Sequence, residues 1–118
     1  KLTGWLPTME SVMPFIDNDS EHPEINYRHI PVRGLYELRR MVDEMEEALP
    51  NIQCPAAVLQ GDEDHVIEAE SAKIIASKIG SENTELHMIP SKRHGILNED
   101  IGGTQDKVLA FVNSLGKK

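Results

Sequence analysis

The fold class of this chain follows from residues 54–67, which read Cys-Pro-Ala-Ala-Val-Leu-Gln-Gly-Asp-Glu-Asp-His-Val-Ile. Residues 56–60 are a short, mostly apolar run that Gly61 closes. A run that is apolar on both faces is typical of a central strand in a parallel sheet, because helices cover both sides of such a sheet. The acidic residues after Gly61 then lie at the carboxyl end of the strand, where open α/β sheets gather their functional groups.

Helical periodicity is found on both sides of this strand. Apolar residues spaced three and four apart predict an amphipathic helix over residues 32–49. The same spacing predicts a helix over residues 68–79, which Gly80 would stop in a left-handed C′ conformation. Residues 84–89 are predicted to form a second strand and residues 104–115 a last helix. Strands that alternate with helices predict an α/β fold with parallel strands and right-handed crossovers.

The first 31 residues are less regular, because four prolines and the polar residues 17–21 interrupt them. Residues 9–16 read as a short helix or as a loop that carries apolar side chains. Such a segment cannot build its own core, so we expect a flap that rests on another part of the protein. Two strands are also too few for a stable free-standing sheet. We therefore expect either the end of a larger sheet or a sheet that a partner completes.

Composition narrows the classes of function. Lysine and arginine total 12 against 20 aspartate and glutamate residues, so the formal charge is −8. Nucleic acid and anionic membranes attract basic proteins, so neither is expected as the main partner. We expect neither a membrane span nor a signal peptide, and we expect a cytoplasmic location. The single cysteine, Cys54, excludes an internal disulfide and is expected to be a small packing residue.

Two polar clusters lie where the two predicted strands end. Asp62, Asp64 and His65 follow the first strand, and His94 follows the second. Adjacent parallel strands would bring these loops side by side, which makes an aspartate and a histidine neighbours in space. A carboxylate that accepts an imidazole Nδ1–H fixes the ring tautomer and stabilises the imidazolium, and histidine acts as base and acid near neutral pH. The alternative is that Asp64 caps the following helix and His94 is a surface histidine.

Residues 54–67 and 89–96 together resemble the α/β-hydrolase superfamily. The first stretch has a proline, an apolar strand and Gly-x-x-Asp followed by an apolar pair. The second, Ile-Pro-Ser-Lys-Arg-His-Gly-Ile, is similar to the segment that carries the catalytic histidine of that fold. The similarity is strongest to the bacterial carboxylesterase and monoacylglycerol-lipase-like group, and it covers most of residues 27–115. It implies that Asp64 is the triad acid and His94 the triad base, with Asp62 and His65 as their rivals. His87, within the second predicted strand, is expected to be a packing or surface residue.

The nucleophile of the superfamily lies on a Gly-x-Ser-x-Gly turn upstream of the acid, and this sequence contains no such pentapeptide. Ser114 is rejected because it lacks the first glycine and a preceding strand. The resemblance thus implies that this chain is the C-terminal portion of a serine carboxylic-ester hydrolase. The N-terminal part of that hydrolase would supply the serine, and without that part this chain is expected to be inactive. Residues 1–31 would be a cap-like or flap-like segment, and residues 32–118 the C-terminal βαβα part of the hydrolase domain.

The same resemblance implies a small acyl ester as substrate, with no metal and no organic cofactor. Thioesterases, peptidases and acyltransferases share the fold, and the two motifs do not separate them. Six apolar residues near the N-terminus are candidates for an acyl-chain pocket, with packing in a core or interface as the alternative: Trp5, Leu6, Met9, Met13, Phe15 and Ile16. A calcium loop from Asp17 is rejected, because its sixth and twelfth positions are His22 and Arg28.

A second hypothesis belongs to another class of function. Under it, the chain is a non-catalytic α/β interaction module, which binds a partner chain or forms a homodimer through the exposed edge of its sheet. A two-stranded sheet supports this hypothesis because its unpaired backbone groups invite strand addition.

Overall fold

The computed structural model describes residues 13–116. Its strands and helices follow one another as β1 (Phe15–Asp17), β2 (His29–Pro31), α1 (Val32–Ala48), β3 (Ala56–Gly61), α2 (Glu70–Lys78), β4 (Thr84–Ile89) and α3 (Thr104–Leu115). Single 3-10 turns at Leu49–Asn51 and Ile101–Gly103 complete the regular structure of these residues. The chain divides into two compact units, Lys1–Glu47 and Ala48–Lys118. The boundary that the sequence predicts, after residue 31, stays a prediction.

The first unit contains a small antiparallel hairpin. Ile16 of β1 lies opposite Ile30 of β2, and the Asn18 N–H donates a hydrogen bond of 2.9 Å to the Arg28 carbonyl beyond the paired residues. The expectation of a helix or loop is therefore wrong for Phe15 and Ile16, because aromatic and β-branched side chains favour a paired strand. Residues 9–12 of that predicted segment lie outside the described residues.

Helix α1 confirms the amphipathic helix that the sequence predicts. It begins at Val32, which is 1% exposed, and its polar face carries ion pairs such as that between Arg39 and Asp43 at 2.7 Å. Part of the apolar stripe is open to solvent, with Leu38 and Met41 49% and 60% exposed. Across residues 13–116, no helix combines the length and the apolar character that a bilayer crossing requires.

The second unit is built on a parallel pair of strands, as predicted. Ala56 of β3 lies opposite Thr84 of β4, and Gly61 lies opposite Ile89. Helix α2 crosses over between the two strands and packs on both, while α3 contacts β3. Five of the described residues of this unit are buried over both backbone and side chain: Leu49, Ala72, Ile89, Ile96 and Thr104. The two strand ends, Gly61 and Ile89, are thus side by side and buried.

Gly80 corrects one detail of the prediction. The residue does not adopt a positive φ, a conformation that only Gly102 and Gly103 have among the described glycines. Helix α2 instead ends through Ile79, whose φ of −56° and ψ of 131° return the chain to an extended conformation. Glycine is needed because the chain passes so close to the Leu49–Asn51 turn that a Cβ on Gly80 would lie 2.0 Å from the Pro50 carbonyl oxygen. Its N–H donates to the Leu49 carbonyl at 3.2 Å.

We predict that Gly80→Ala lowers the free energy of unfolding by about 2 kcal/mol, because the new methyl group forces the backbone at Pro50 to move. Urea unfolding monitored by circular dichroism measures the change. Gly116→Ala is the matched control, since the nearest atom to a Cβ there is 3.9 Å away, and we expect it to change stability by no more than about 0.5 kcal/mol. Equal stability of the two variants would contradict the steric argument.

Candidate active site

Backbone hydrogen bonds continue beyond the ends of β3 and β4 and hold the two following loops together. The Asp62 N–H donates to the Ile89 carbonyl at 2.9 Å, and the Glu63 N–H donates to the Ser91 carbonyl at 3.1 Å. In return, the Ser91 N–H donates to Oδ1 of Asp62 at 3.0 Å. The two polar clusters are therefore adjacent, as the sequence predicts. The carboxylate of Asp62 is engaged in joining the loops, so it is not positioned as the acid partner of His94.

Gly61 allows this close approach. A Cβ at this position would lie 2.9 Å from the carbonyl oxygen of Ser91 and 3.1 Å from that of Arg93. Both atoms belong to the backbone of the histidine loop, so a side chain at residue 61 would push that loop away from the acid. The glycine of the Gly-x-x-Asp motif is thus explained by contact between two backbones.

The carboxylate of Asp64 is almost completely enclosed, with its side chain 1% exposed. Its Oδ1 accepts hydrogen bonds from the backbone N–H groups of Val66 at 2.7 Å and Ile67 at 3.1 Å. Its Oδ2 lies 2.8 Å from Nε2 of Gln60 and 2.9 Å from Nδ1 of His94. Four donors therefore surround the carboxylate, two on each oxygen.

These contacts fix the charge of Asp64 and the tautomer of His94. Burial raises the pKa of Asp64, but the hydrogen bonds from His94, Val66, Ile67 and Gln60 together outweigh it and lower the pKa from 3.8 to about 2. An ionised carboxylate can only accept hydrogen bonds, so the proton in the contact with His94 is on Nδ1. In the neutral ring, Nε2 then carries the lone pair. The His94 side chain is 46% exposed, so this pair can take up a proton at Nε2 while Asp64 stabilises the imidazolium.

The segment after His94 is anchored to the beginning of α3. The Ile96 N–H donates to the His94 carbonyl at 2.9 Å. The Ile96 carbonyl accepts the N–H of Ile101 at 2.9 Å and the hydroxyl of the fully buried Thr104 at 2.8 Å. The ion pair between Arg93 and Glu99 adds a further tie within the same loop. The histidine is thus held from both sides, by β4 before it and by α3 after it.

The structure also gives the positions of the residues that are alternatives for the acid and the base. Helix α2 begins at Glu70 with Ala69 as its N-cap, so Asp64 does not cap that helix. His65 is exposed beside the acid. His87 lies on β4, where its Nε2 is 3.0 Å from Oε2 of Glu85, and it is half-buried. Of the histidines weighed as the base, His94 is the one in contact with Asp64.

The structure also gives the positions of Ser114 and Cys54. Ser114 lies in α3, where its hydroxyl donates to the Phe111 carbonyl at 2.6 Å, as serines in helices often do. Cys54 is exposed, so the expectation of a packed cysteine is wrong: the residue precedes β3 and lies outside the sheet. Within residues 13–116, no group of three or more histidine, cysteine or acidic side chains is placed to hold a metal ion.

The predicted acyl-pocket residues belong to the first unit. Trp5, Leu6 and Met9 lie outside the described residues. Met13 and Phe15 are exposed, and Ile16 is half-buried in β1. Their part in a pocket stays a prediction.

Gln60 is the site residue that the sequence analysis missed. Gln60 lies within the mostly apolar run of residues 56–60, yet its amide contacts the carboxylate of Asp64 directly. The signal was present, because a glutamine in an apolar strand needs a hydrogen-bond partner. Here the partner lies four residues along the chain.

Comparisons with known proteins identify the family to which this chain is similar. The family described as serine aminopeptidase, S33, matches residues 9–101. A thermostable monoacylglycerol lipase from Bacillus sp. (strain H-257) is 30% identical over 82 residues, which make up 67% of this chain and 33% of the lipase. A solved structure, from work titled "LipS and LipT, two metagenome-derived lipolytic enzymes increase the diversity of known lipase and esterase families", matches with a TM-score of 0.80 at 24% identity, over 95% of this chain and 49% of the other. The chain thus spans between a third and a half of the length of these proteins.

We predict that ionised Asp64 stabilises the protein above pH 4 and that this stabilisation is lost in acid. The folded-state pKa of Asp64, about 2, lies below its ordinary value of 3.8, so the contribution is complete above 3.8 and disappears as pH falls through 2. The difference corresponds to about 2 kcal/mol. Urea unfolding of wild type and Asp64→Asn from pH 2 to pH 6 tests this. The stability gap between the two proteins should narrow by about that amount toward pH 2, whereas a gap independent of pH would contradict it.

Proposed function

The chain belongs to the serine aminopeptidase S33 family of α/β-hydrolases, and from this membership we propose that it is the C-terminal part of a serine carboxylic-ester hydrolase. The observation that carries the proposal is the 2.9 Å contact between Oδ2 of the buried Asp64 and Nδ1 of His94. Two features add support. The contact lies at the carboxyl ends of parallel strands, where this fold places its chemistry, and the two relatives described above are named as a lipase and as lipolytic enzymes.

In this proposal Asp64 is the triad acid, His94 is the base, and a serine in the N-terminal part of the same protein is the nucleophile. Nε2 of His94 takes the serine hydroxyl proton as the serine oxygen attacks the ester carbonyl. The tetrahedral intermediate collapses, and Nε2 returns that proton to the leaving alcohol. Water then attacks the acyl-enzyme with His94 again as base, which releases the carboxylic acid and restores the serine. Asp64 remains ionised throughout.

Several properties of the whole protein follow from this proposal. Without the N-terminal part, the chain has an acid and a base but no nucleophile, so by itself it does not hydrolyse esters by triad chemistry. Residues 1–31 would act as a cap over a small acyl ester. Triad chemistry requires neither a metal nor an organic cofactor. A cytoplasmic location remains a proposal that rests on composition.

A second candidate function is a non-catalytic module that binds a partner or a second copy of the chain. The observation that favours it is the two-stranded sheet of β3 and β4, which gains no third strand within residues 13–116. Unpaired strand edges invite strand addition. This candidate function predicts that the chain binds a partner or a second copy through the sheet edge. Substitution of His94 should leave that binding unchanged.

We predict that His94→Ala, made in the complete protein that carries this chain, lowers kcat for aryl ester hydrolysis by on the order of 10³-fold or more, because the serine then lacks a base. His65→Ala is the matched control, since that histidine is exposed and is not one of the four hydrogen-bond donors to Asp64, and it should retain activity within about twofold of wild type. Initial rates with short-chain and long-chain aryl esters measure both variants.

Two outcomes would overturn the proposed function. Undiminished ester turnover by His94→Ala would remove His94 from the mechanism. Hydrolysis of an aminoacyl anilide but of no ester would keep the acid–base pair and replace the ester substrate by a peptide-like one. If no substrate is turned over and light scattering shows a dimer unaffected by His94→Ala, the interaction module is the better description.

A further inference from the structure

Gln60 is a polar residue in a strand that is otherwise apolar up to Gly61. Its side chain is half-buried, and its Nε2 lies 2.8 Å from Oδ2 of Asp64 and 3.3 Å from the carbonyl oxygen of Gly61. Both neighbours are hydrogen-bond acceptors, so the amide has to present its NH₂ group and not its oxygen. Each of the two amide hydrogens then has its own acceptor, which fixes the orientation of the side chain.

Gln60 and His94 share one oxygen of the acid. Oδ2 of Asp64 accepts from Nε2 of Gln60 at 2.8 Å and from Nδ1 of His94 at 2.9 Å. The other oxygen is held by two backbone N–H groups of the next turn. Without Gln60, the carboxylate would be restrained by the backbone on one oxygen and by the histidine alone on the other. Donation by Gln60 also draws negative charge from the oxygen that faces the imidazole.

We infer that Gln60 is a positioning residue of the acid–base pair, which orients Oδ2 of Asp64 toward His94 and moderates the strength of their hydrogen bond. The inference rests on the proposed function, because it assigns Gln60 a part in the same reaction. Gln60 acts through Asp64 and not on the substrate. Its loss should therefore change kcat and the pH dependence of the reaction while leaving KM nearly unchanged.

The test compares Gln60→Met with wild type in the complete protein. Methionine has a similar length and suits an apolar strand, but it donates no hydrogen bond. We expect kcat for an aryl butyrate to fall about fivefold, since one hydrogen bond to the acid is lost, and KM to stay within about twofold because the substrate loses no contact. With Gln60 gone, Oδ2 carries more charge toward the imidazole and favours its protonated form. The acid limb of the pH profile of kcat/KM should thus move to higher pH, by roughly half a unit.

A spectroscopic measurement separates this role from a merely structural one. The Nδ1 proton of His94 should resonate further downfield in Gln60→Met, because its hydrogen bond to Asp64 becomes stronger, and this signal needs no substrate. Gln53→Met is the matched control. That glutamine also donates from Nε2 to an acceptor, the Pro50 carbonyl at 2.9 Å, but it is not one of the donors to Asp64. We therefore expect neither the pH profile nor the Nδ1 proton signal to move in Gln53→Met.

Failure of the inference about Gln60 can be distinguished from failure of the proposed function. If His94→Ala keeps full activity, the triad assignment fails, and the Nδ1 proton alone then tests whether Gln60 tunes the contact. If His94→Ala is inactive but Gln60→Met leaves the acid limb and the Nδ1 proton unmoved, Gln60 has no positioning role, whatever happens to stability. A shift of the acid limb to lower pH, or of the Nδ1 proton upfield, would likewise overturn the inference.

Discussion

A carboxylate removed almost completely from water at the end of β3 is the constraint on which the second unit depends. Desolvation disfavours the charged form of an aspartate, and here hydrogen bonds to the ionised group of Asp64 reverse that effect. Asp64 receives such bonds from a side chain on β3, from the turn before α2 and from the loop after β4. Its low pKa records the result. Three separate elements must therefore converge on this one group.

Close contact between backbones makes that convergence possible. Gly61 lets the histidine loop lie against the end of β3, and Gly80 lets the end of α2 lie against the turn at Pro50. Neither glycine has a positive φ, so their role is to leave room and not to permit an unusual conformation. Asp62 completes the arrangement, because its carboxylate accepts the N–H of Ser91. The two aspartates of the motif thus make different contacts. Asp62 joins the two loops, and Asp64 accepts the hydrogen bond from His94.

Most of the strands and helices of the second unit could be predicted from sequence, because they depend on the local pattern of apolar and polar residues. The strand at Thr84–Ile89 and the helix at Thr104–Leu115 have the predicted limits, and the parallel pairing that unites the two clusters follows from alternating strands and helices. What could not be predicted depends on tertiary contact. The function of Gly80 requires knowledge of where Pro50 lies, and the exposure of Cys54 requires knowledge of where the sheet ends. The role of Gln60 could not be predicted because a strand pattern shows that a residue is polar but not which group is its hydrogen-bond partner.

Hydrogen bonds to Asp64 and to the Ile96 carbonyl hold together the segment from β3 to the first turn of α3. The hydrogen bonds described above for Asp64, His94 and the loop after β4, from that of Gln60 to that of Thr104, join residues of the second compact unit. Because these hydrogen bonds connect β3, the loop after β4 and the first turn of α3, a displacement of α3 would also move the imidazole of His94.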